Sequence, residues 1–381
     1  MSGKCMIFAF VFSVEIFIII NAQRGQPCYT PNEKLATCKS IYDCGRFIKA
    51  INEHIPSQLI FIKKSQCGYD TTPLVCCGLD IDFLSTRHLK RTVRSTNSTT
   101  FIRNPAIPDR KICGFQEYLP TNKKVIGGTH THYKEYPWMV LLGYTTRSGK
   151  IRWSCGGTLI SHKYVLTAAH CVKGDVEALV GQITYVKLGE YNITKHLDCN
   201  KNANCSTETV IAGIKNVSVH ENYDPTDRTS RNDIALIHLN QTIEYTDIIK
   251  PICLPEPNEG SSTTDRLIVA GWGLTENGSY SNVKLQVFVP FLTNDECITA
   301  FRILRLNLTD SQICAGGEDG KDACKGDSGG PLMRRSKSNP LQWYQEGIVS
   351  FGNTECGTAG LPGVYTKVLS FLSWIHSHVK E

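Results

Sequence analysis

The sequence predicts a mainly β protein with a small, disulfide-stapled module ahead of it, and three observations carry that prediction. Beyond Val125 the chain runs in short strand-like stretches separated by turns. Beyond Cys5, the rest of its 17 cysteines fall into two blocks. Between the blocks lies a polar, basic stretch that holds no cysteine until Cys113.

From the start of the chain, Lys4 gives a positive residue and Met6 to Ile20 is mostly apolar. Asn21-Ala22 then offers a small residue for cleavage before Gln23. Residues 1–22 therefore read as a secretory signal peptide. Glu15 interrupts the apolar run, which is too short to anchor the chain across a bilayer, and no other stretch could span one. Removing this segment takes Cys5 away and leaves an even number of cysteines. So many cysteines fit an oxidising compartment, and the protein is expected to be secreted and extracellular. On that route the Asn-x-Ser/Thr sequons at Asn97, Asn192, Asn204, Asn216, Asn240, Asn277 and Asn307 are candidate glycosylation sites, with Cys205 hindering Asn204.

Cys28, Cys38, Cys44, Cys67, Cys76 and Cys77 crowd into residues 28–77. A segment this short cannot build a sufficient apolar core, so three bridges are expected to staple it. Sequence alone leaves the connectivity open, except that the adjacent Cys76 and Cys77 must point to different partners. Residues 78–124 carry Arg87, Lys90, Arg91, Arg94, Arg103, Arg110 and Lys111, with Ser, Thr and Asn around Ser95 to Thr100. That composition reads as a linker and activation segment open to proteases. The net charge of +6 is mild and is not gathered into one face, which argues against a nucleic-acid partner.

Residues 125–381 form the large domain. Strand-like runs include Trp138-Met-Val-Leu-Leu-Gly-Tyr, Tyr185-Val-Lys-Leu-Gly, Asp233-Ile-Ala-Leu-Ile-His-Leu, Arg266-Leu-Ile-Val-Ala-Gly-Trp and Glu346-Gly-Ile-Val-Ser-Phe. Short strands at this spacing, without long helices between them, predict a barrel or sandwich. Leu369, Leu372, Trp374, Ile375 and Val379 recur at helical spacing and predict one closing amphipathic helix over Leu369 to Lys380. His162, His220, His238, His376 and His378 are scattered and read as ordinary surface or core histidines.

Acyl transfer to water needs an activated hydroxyl, a base, a group that orients the base, and donors for the oxyanion. Thr167-Ala-Ala-His170-Cys171 offers the base, Asn232-Asp233-Ile-Ala-Leu the carboxylate, and Gly326-Asp-Ser328-Gly-Gly-Pro331 the nucleophile. Three such motifs in one order are not a chance assembly.

With those motifs, residues 125–381 resemble the chymotrypsin/trypsin family from Val125-Ile-Gly-Gly to Gly363-Val-Tyr-Thr-Lys-Val. The resemblance implies two six-stranded antiparallel β-barrels with the active site between them. It implies that Ser328 attacks, His170 takes the proton, Asp233 orients His170, and the backbone N–H groups of Gly326 and Ser328 form the oxyanion hole. Ser350 would hydrogen-bond the aspartate. Asp322 would sit at the base of the specificity pocket beside Ala323, with Gly352 and Gly363 as open walls, so cleavage after Arg or Lys is expected. Phe351 stands where many relatives have Trp. Cleavage at Lys124-Val125 would free an amino group to pair with Asp327.

Further pairings follow from the same resemblance: Cys155–Cys171, Cys297–Cys314, Cys324–Cys356 and Cys113–Cys253. Cys199 and Cys205 are left as a small local loop that carries the surplus length between His170 and Asp233. Glu190, upstream of it, resembles a calcium-loop ligand in some relatives; no cofactor is required, and Ca²⁺ is the one candidate.

The N-terminal block, ending in Cys76-Cys77-Gly78, resembles the clip domain of arthropod serine proteases, which implies Cys28–Cys76, Cys38–Cys67 and Cys44–Cys77. The combination is similar to prophenoloxidase-activating and easter-type enzymes. It implies a haemolymph cascade protease of melanisation, Toll-ligand processing or clotting. Expected partners are an upstream activating protease, a zymogen or cytokine-precursor substrate, and a serpin-type inhibitor. The competing readings are a non-catalytic clip-bearing cofactor, which would have lost a triad member, and a broad digestive trypsin, which has no use for the module.

Overall fold

The structure is a computed structural model that describes residues 24–30, 35–53, 61–62, 65–78, 103–117, 128–195, 197, 209–257, 259–262, 265–275, 278–301, 306–318, 326–352 and 358–380. The signal-peptide reading, Lys124, Val125, Asp322, Ala323, Cys199, Cys205, Cys324, Cys356, Asn97, Asn204 and Asn277 lie outside the described residues. The chain divides into two units, Met1–Ser98 and Thr99–Glu381.

The first unit is a four-stranded antiparallel sheet of β1 (Pro27–Tyr29), β2 (Leu35–Ser40), β3 (Gln66–Tyr69) and β4 (Pro73–Cys77), in the order β1-β2-β4-β3. Helix α1 (Gly45–Glu53) lies between β2 and β3 in the chain. Among the described residues Cys44, Phe47, Ile62 and Val75 form its buried cluster. That core is too small to hold the fold alone, and three disulfides supplement it: Cys28–Cys76, Cys38–Cys67 and Cys44–Cys77. Cys76 and Cys77 are neighbours on β4, and strand geometry turns successive side chains to opposite faces, so they reach different partners.

In the second unit, β6 (Met139–Thr145), β7 (Ile151–Leu159), β8 (Tyr164–Thr167), β9 (Gln182–Leu188), β10 (Val210–Val219) and β11 (Ala235–Leu239) close a barrel in the order β10-β11-β8-β7-β6-β9. A second barrel runs β12-β15-β16-β17-β14-β13 through β12 (Arg266–Gly271), β13 (Leu285–Leu292), β14 (Gln312–Gly316), β15 (Pro331–Arg335), β16 (Trp343–Phe351) and β17 (Pro362–Lys367). It closes because β12 also pairs with β13, and the two-residue strand β5 (Thr129–His130) adds to β13. Every pairing within these barrels is antiparallel. Leu142, Tyr144, Leu166, Val186, Leu188 and Leu236 fill the first barrel, and Leu267, Val269, Val289, Leu332 and Tyr365 the second. Among the described residues no helix is long and apolar enough to cross a membrane.

The closing helix differs from its sequence expectation at its start. Val368–Phe371 forms a tight 3₁₀ turn, and the α-helix, here α2, occupies Leu372–His378. The turn buries Val368 and Phe371, and α2 buries Leu372 and Ile375, while Leu369 and Trp374 are only partly covered. The tighter winding shifts which residues face inward.

The end of α2 is capped from far away in sequence. The Asn104 side-chain amide donates to the carbonyls of His376 and Val379, and the Asn104 backbone N–H donates to His376 Nδ1 at 2.9 Å. The rest of residues 103–117 is bound as closely. Ile107 joins the main core, Arg110 pairs with Glu256 and Glu259, and Cys113 is disulfide-bonded to Cys253. The Gln342 amide donates to the carbonyls of Arg110 and Cys113, and Phe115 bridges to Gln342. Residues before the expected activation site are therefore part of the second unit.

Burial, with Arg103 nearby, pushes His376 down to about 4. The native state holds it neutral while the unfolded chain protonates near the ordinary imidazole value. Stability from this group is thus full above that value and is lost as pH falls towards about 4. Asn104→Ala is expected to destabilise the second unit by about 1–3 kcal/mol, because it strands the capped carbonyls. A His376→Asn variant should lose less stability than the wild type between pH 7 and pH 4 in thermal melts. Equal pH slopes would contradict this assignment.

Candidate active site

His170 lies in a one-turn 3₁₀ segment, Ala169–Cys171, directly after β8. The Cys155–Cys171 disulfide ties that turn to β7. Asp233 enters from the connection between β10 and β11, and its side chain is 0% exposed. A buried carboxylate is tolerated only when its oxygens are satisfied. Asp233 Oδ1 accepts from the His170 backbone N–H at 2.9 Å. Its Oδ2 accepts from His170 Nδ1 at 2.8 Å and from the Ser350 hydroxyl at 2.5 Å.

These contacts fix the protonation pattern. Burial works to raise Asp233, but the charge and hydrogen bonds of His170, with the Ser350 hydroxyl, outweigh it and hold the carboxyl below its ordinary value. Burial works to lower His170, but the Asp233 charge and hydrogen bond reverse that and raise it. With Nδ1–H committed to Asp233, the neutral ring keeps its lone pair at Nε2, where a base must have it.

Ser328 is half-buried, on the loop that leads into β15. Its carbonyl accepts from the Gly156 N–H at 2.7 Å, and Gly156's own carbonyl accepts from the Thr167 hydroxyl at 2.8 Å. Thr167 stands three residues before His170, so the serine loop is braced against the strand that delivers the histidine. The fit is tight. At Gly329, with φ +76°, a Cβ would come within 2.3 Å of Thr167 Oγ1 and 2.6 Å of the Gly156 carbonyl. Ser328 Oγ is not hydrogen-bonded to His170 in this arrangement, a contact that commonly tightens only with substrate bound. Neither the Gly326 nor the Ser328 N–H has an acceptor among the described residues.

Asp327, beside the serine, accepts from the Gly273 N–H at 2.9 Å and packs against Gly271 and Gly273. Of the expected pocket residues, Ser350 donates its hydroxyl to Asp233, Gly352 is exposed just beyond β16, and Gly363 on β17 pairs with Ala315. Phe351 is half-buried, with the Phe301 ring edge-on to it at 6.2 Å. Cys297 is bonded to Cys314. Asn216, Asn240 and Asn307 are exposed, whereas Asn192 is half-buried with its Oδ1 accepting from Thr194.

Glu190 is buried, and its carboxylate is already engaged. Lys187 Nζ lies 2.5 Å from Oε2, and the Tyr191 N–H donates to Oε1 at 2.9 Å. Calcium takes six to eight oxygens as a rule. Most of the loop that would supply the other oxygens lies outside the described residues.

Three functional contacts escaped the sequence reading: Gly156 on the Ser328 carbonyl, Thr167 behind it, and the Thr366 hydroxyl, which donates to the Asp233 carbonyl at 2.7 Å. Thr167 and Thr366 both lie inside quoted motifs, but a motif does not say where a hydroxyl points.

Comparison with known proteins agrees with this geometry. A family model described as Trypsin matches residues 125–375, and one described as the regulatory CLIP domain of proteinases matches residues 28–77. Phenoloxidase-activating factor 1 of Holotrichia diomphalia is 38% identical over 98% of this chain and 98% of its own. CLIP domain-containing serine protease HP8 of Bombyx mori is 39% identical over 97% of this chain and 98% of its own. A crystal structure of the Drosophila Grass clip serine protease of the Toll pathway superposes with a TM-score of 0.57 at 31% identity, covering 93% of this chain and 97% of that one.

The acid limb of any activity that uses His170 as base should lie above the ordinary imidazole value, since Asp233 raises it. Asp233→Asn removes the charge and disfavours the required tautomer. The variant is expected to lose kcat on the order of 10⁴-fold, with its acid limb displaced to lower pH. A pH–rate profile of both proteins checks this, and an unmoved limb would count against the pairing.

Proposed function

The chain belongs to the trypsin family of serine proteases and carries a clip domain, and from that membership we propose that it is the secreted precursor of a cascade endopeptidase cleaving after Arg or Lys. The observation that carries the reading is the buried Asp233–His170 pair, with the Ser328 loop braced onto the His170 strand. Ser328 Oγ attacks the scissile carbonyl while His170 Nε2 takes its proton. Asp233 stabilises the imidazolium that results. The N–H groups of Gly326 and Ser328 hold the oxyanion, His170 returns the proton to the leaving amine, and water repeats the sequence on the acyl-enzyme. No step uses calcium, which would act only on the loop that follows Glu190.

Activation in this reading is cleavage of Lys124-Val125, after which the new amino group pairs with Asp327. An upstream protease makes the cut, another secreted precursor is the substrate, and a serpin-type inhibitor ends the activity. Similarity to a phenoloxidase-activating factor and to a clip protease of the Toll pathway supports a place in melanisation or Toll-ligand processing, with haemolymph as the proposed compartment.

Sequencing the active heavy chain is expected to give Val125 as its first residue, and a fluorophosphonate should label Ser328 only after that cut. Cys113–Cys253 and the contacts of residues 103–117 should keep the light chain bound, so unreduced material runs as one species. Another N-terminus, or an activated chain that takes no label, would overturn the reading.

Pocket chemistry sets a second expectation. Asp322 is followed by Ala323 where many relatives have Ser. A compact ammonium loses a hydroxyl partner there, while a guanidinium forks across the carboxylate. Arg substrates should be favoured over matched Lys substrates by about 1 kcal/mol. The precursor, cut after Lys124, should then activate itself slowly. Equal rates on the two substrates would remove the pocket argument.

A further inference from the structure

The segment that delivers Asp233 is strained. Ser230 and Asn232 have φ of +47° and +58°, the left-handed region that non-glycine residues avoid. Such a backbone persists only where its surroundings hold it. Both ends of this stretch are held by side chains of the second barrel. The Gln312 amide donates to the Thr229 carbonyl at 2.7 Å, and the Thr366 hydroxyl donates to the Asp233 carbonyl at 2.7 Å.

Gln312 and Thr366 are direct cross-strand partners of β14 and β17. Both are buried, at 3% and 1% exposure. Gln312 Oε1 accepts from the Thr309 N–H at 3.1 Å, which orients its amide towards Thr229. Thr366 also pairs with Ile348 on β16, so its backbone is fixed on both sides. No other described group donates to the Asp233 carbonyl.

We propose that Gln312 and Thr366 are positioning residues for the reaction: one cross-strand pair brackets the strained segment 229–233 and sets where the Asp233 carboxylate meets His170. The proposal rests on the reading of Asp233 as the group that orients the catalytic base. It also gives β17 two tasks if Gly363 near its start is the pocket wall that the resemblance implies, since Thr366 near its end holds the aspartate. A disturbance of the pocket wall then has a direct route to the imidazole.

Thr366→Val keeps the shape and removes the hydroxyl, Thr366→Ser restores it, and Gln312→Met removes the other contact at similar volume. In the activated full chain, Thr366→Val and Gln312→Met are each expected to lower kcat by about 10- to 100-fold, with KM little changed. The acid limb should move to lower pH as the Asp233–His170 contact loosens. Thr366→Ser should recover most of the rate, and the double variant should lose less than the product of the single losses, as members of one clamp do. The Nδ1–H proton resonance of His170 in NMR should shift upfield in Thr366→Val and return in Thr366→Ser.

A purely structural role would lower melting temperatures without moving the limb or that resonance, and would overturn the proposal. So would a loss in Thr366→Val that Thr366→Ser fails to repair. If Thr366→Val does not fold, Gln312→Met carries the same readouts. Should the wild-type chain show no turnover while the resonance still responds to Thr366→Val, the endopeptidase reading falls and the clamp stands.

Discussion

A carboxylate that is 0% exposed must be supplied with donors before anything else in this protein can be stable. Even after relaxation, burying one ion costs several kcal/mol. Asp233 answers that demand with donors from both barrels: two N–H groups of His170 from the first and the Ser350 hydroxyl from β16 of the second. Separating the barrels would strip it of Ser350 and of Thr366 together. The cleft between them is thus a place where two folded cylinders are obliged to meet. The same requirement selects the imidazole tautomer, because an ionised acceptor at Nδ1 keeps the proton there and leaves the lone pair on Nε2.

The remaining parts of the site lean on that junction. The Ser328 carbonyl is held by Gly156, Gly156 by Thr167, and Thr167 ends the strand from which His170 turns. Nucleophile and base are therefore referenced to the same backbone rather than to each other. This is why their hydroxyl–imidazole contact can stay open while the framework is formed. Side chains too large for the gap are excluded at Gly329, so the loop has little room to settle elsewhere.

Much of this was legible in the residues. Short strands between turns foretell barrels, and His170, Asp233 and Ser328 announce themselves by the chemistry of their neighbours. Six cysteines in a module with so little apolar content foretell its staples. What stayed hidden depends on register. Gln312 and Thr366 become partners only once β14 and β17 align, and a one-residue slip would turn both side chains to the other face. Asn104 reaches His376 across 272 positions, a separation at which no local pattern exists. The start of α2 differs from the apolar pattern because a 3₁₀ turn and an α-helix share apolar spacing over one turn, and packing of Val368 and Phe371 decides between them. At Glu190 the pattern of acidic and amide residues said nothing of Lys187, which lies against the carboxylate from three residues back on β9.

The two units meet the problem of size in opposite ways, and residues 103–117 fall on one side of that divide. The first unit has four buried side chains in its cluster among the described residues and relies on three covalent cross-links. The second has continuous cores in both barrels, and it needs Cys113–Cys253 less for stability than for location. That bond closes a separation of 140 residues, yet the chain on either side of Cys113 is already held by Asn104, Ile107, Arg110 and Gly114. A tether placed at an already docked segment adds little to its affinity. It ensures instead that the docking outlasts a break in the chain further on, because a cut at Lys124-Val125 would turn this segment from part of the fold into a bound peptide. The linker to the clip domain then begins from a fixed point on the body of the enzyme.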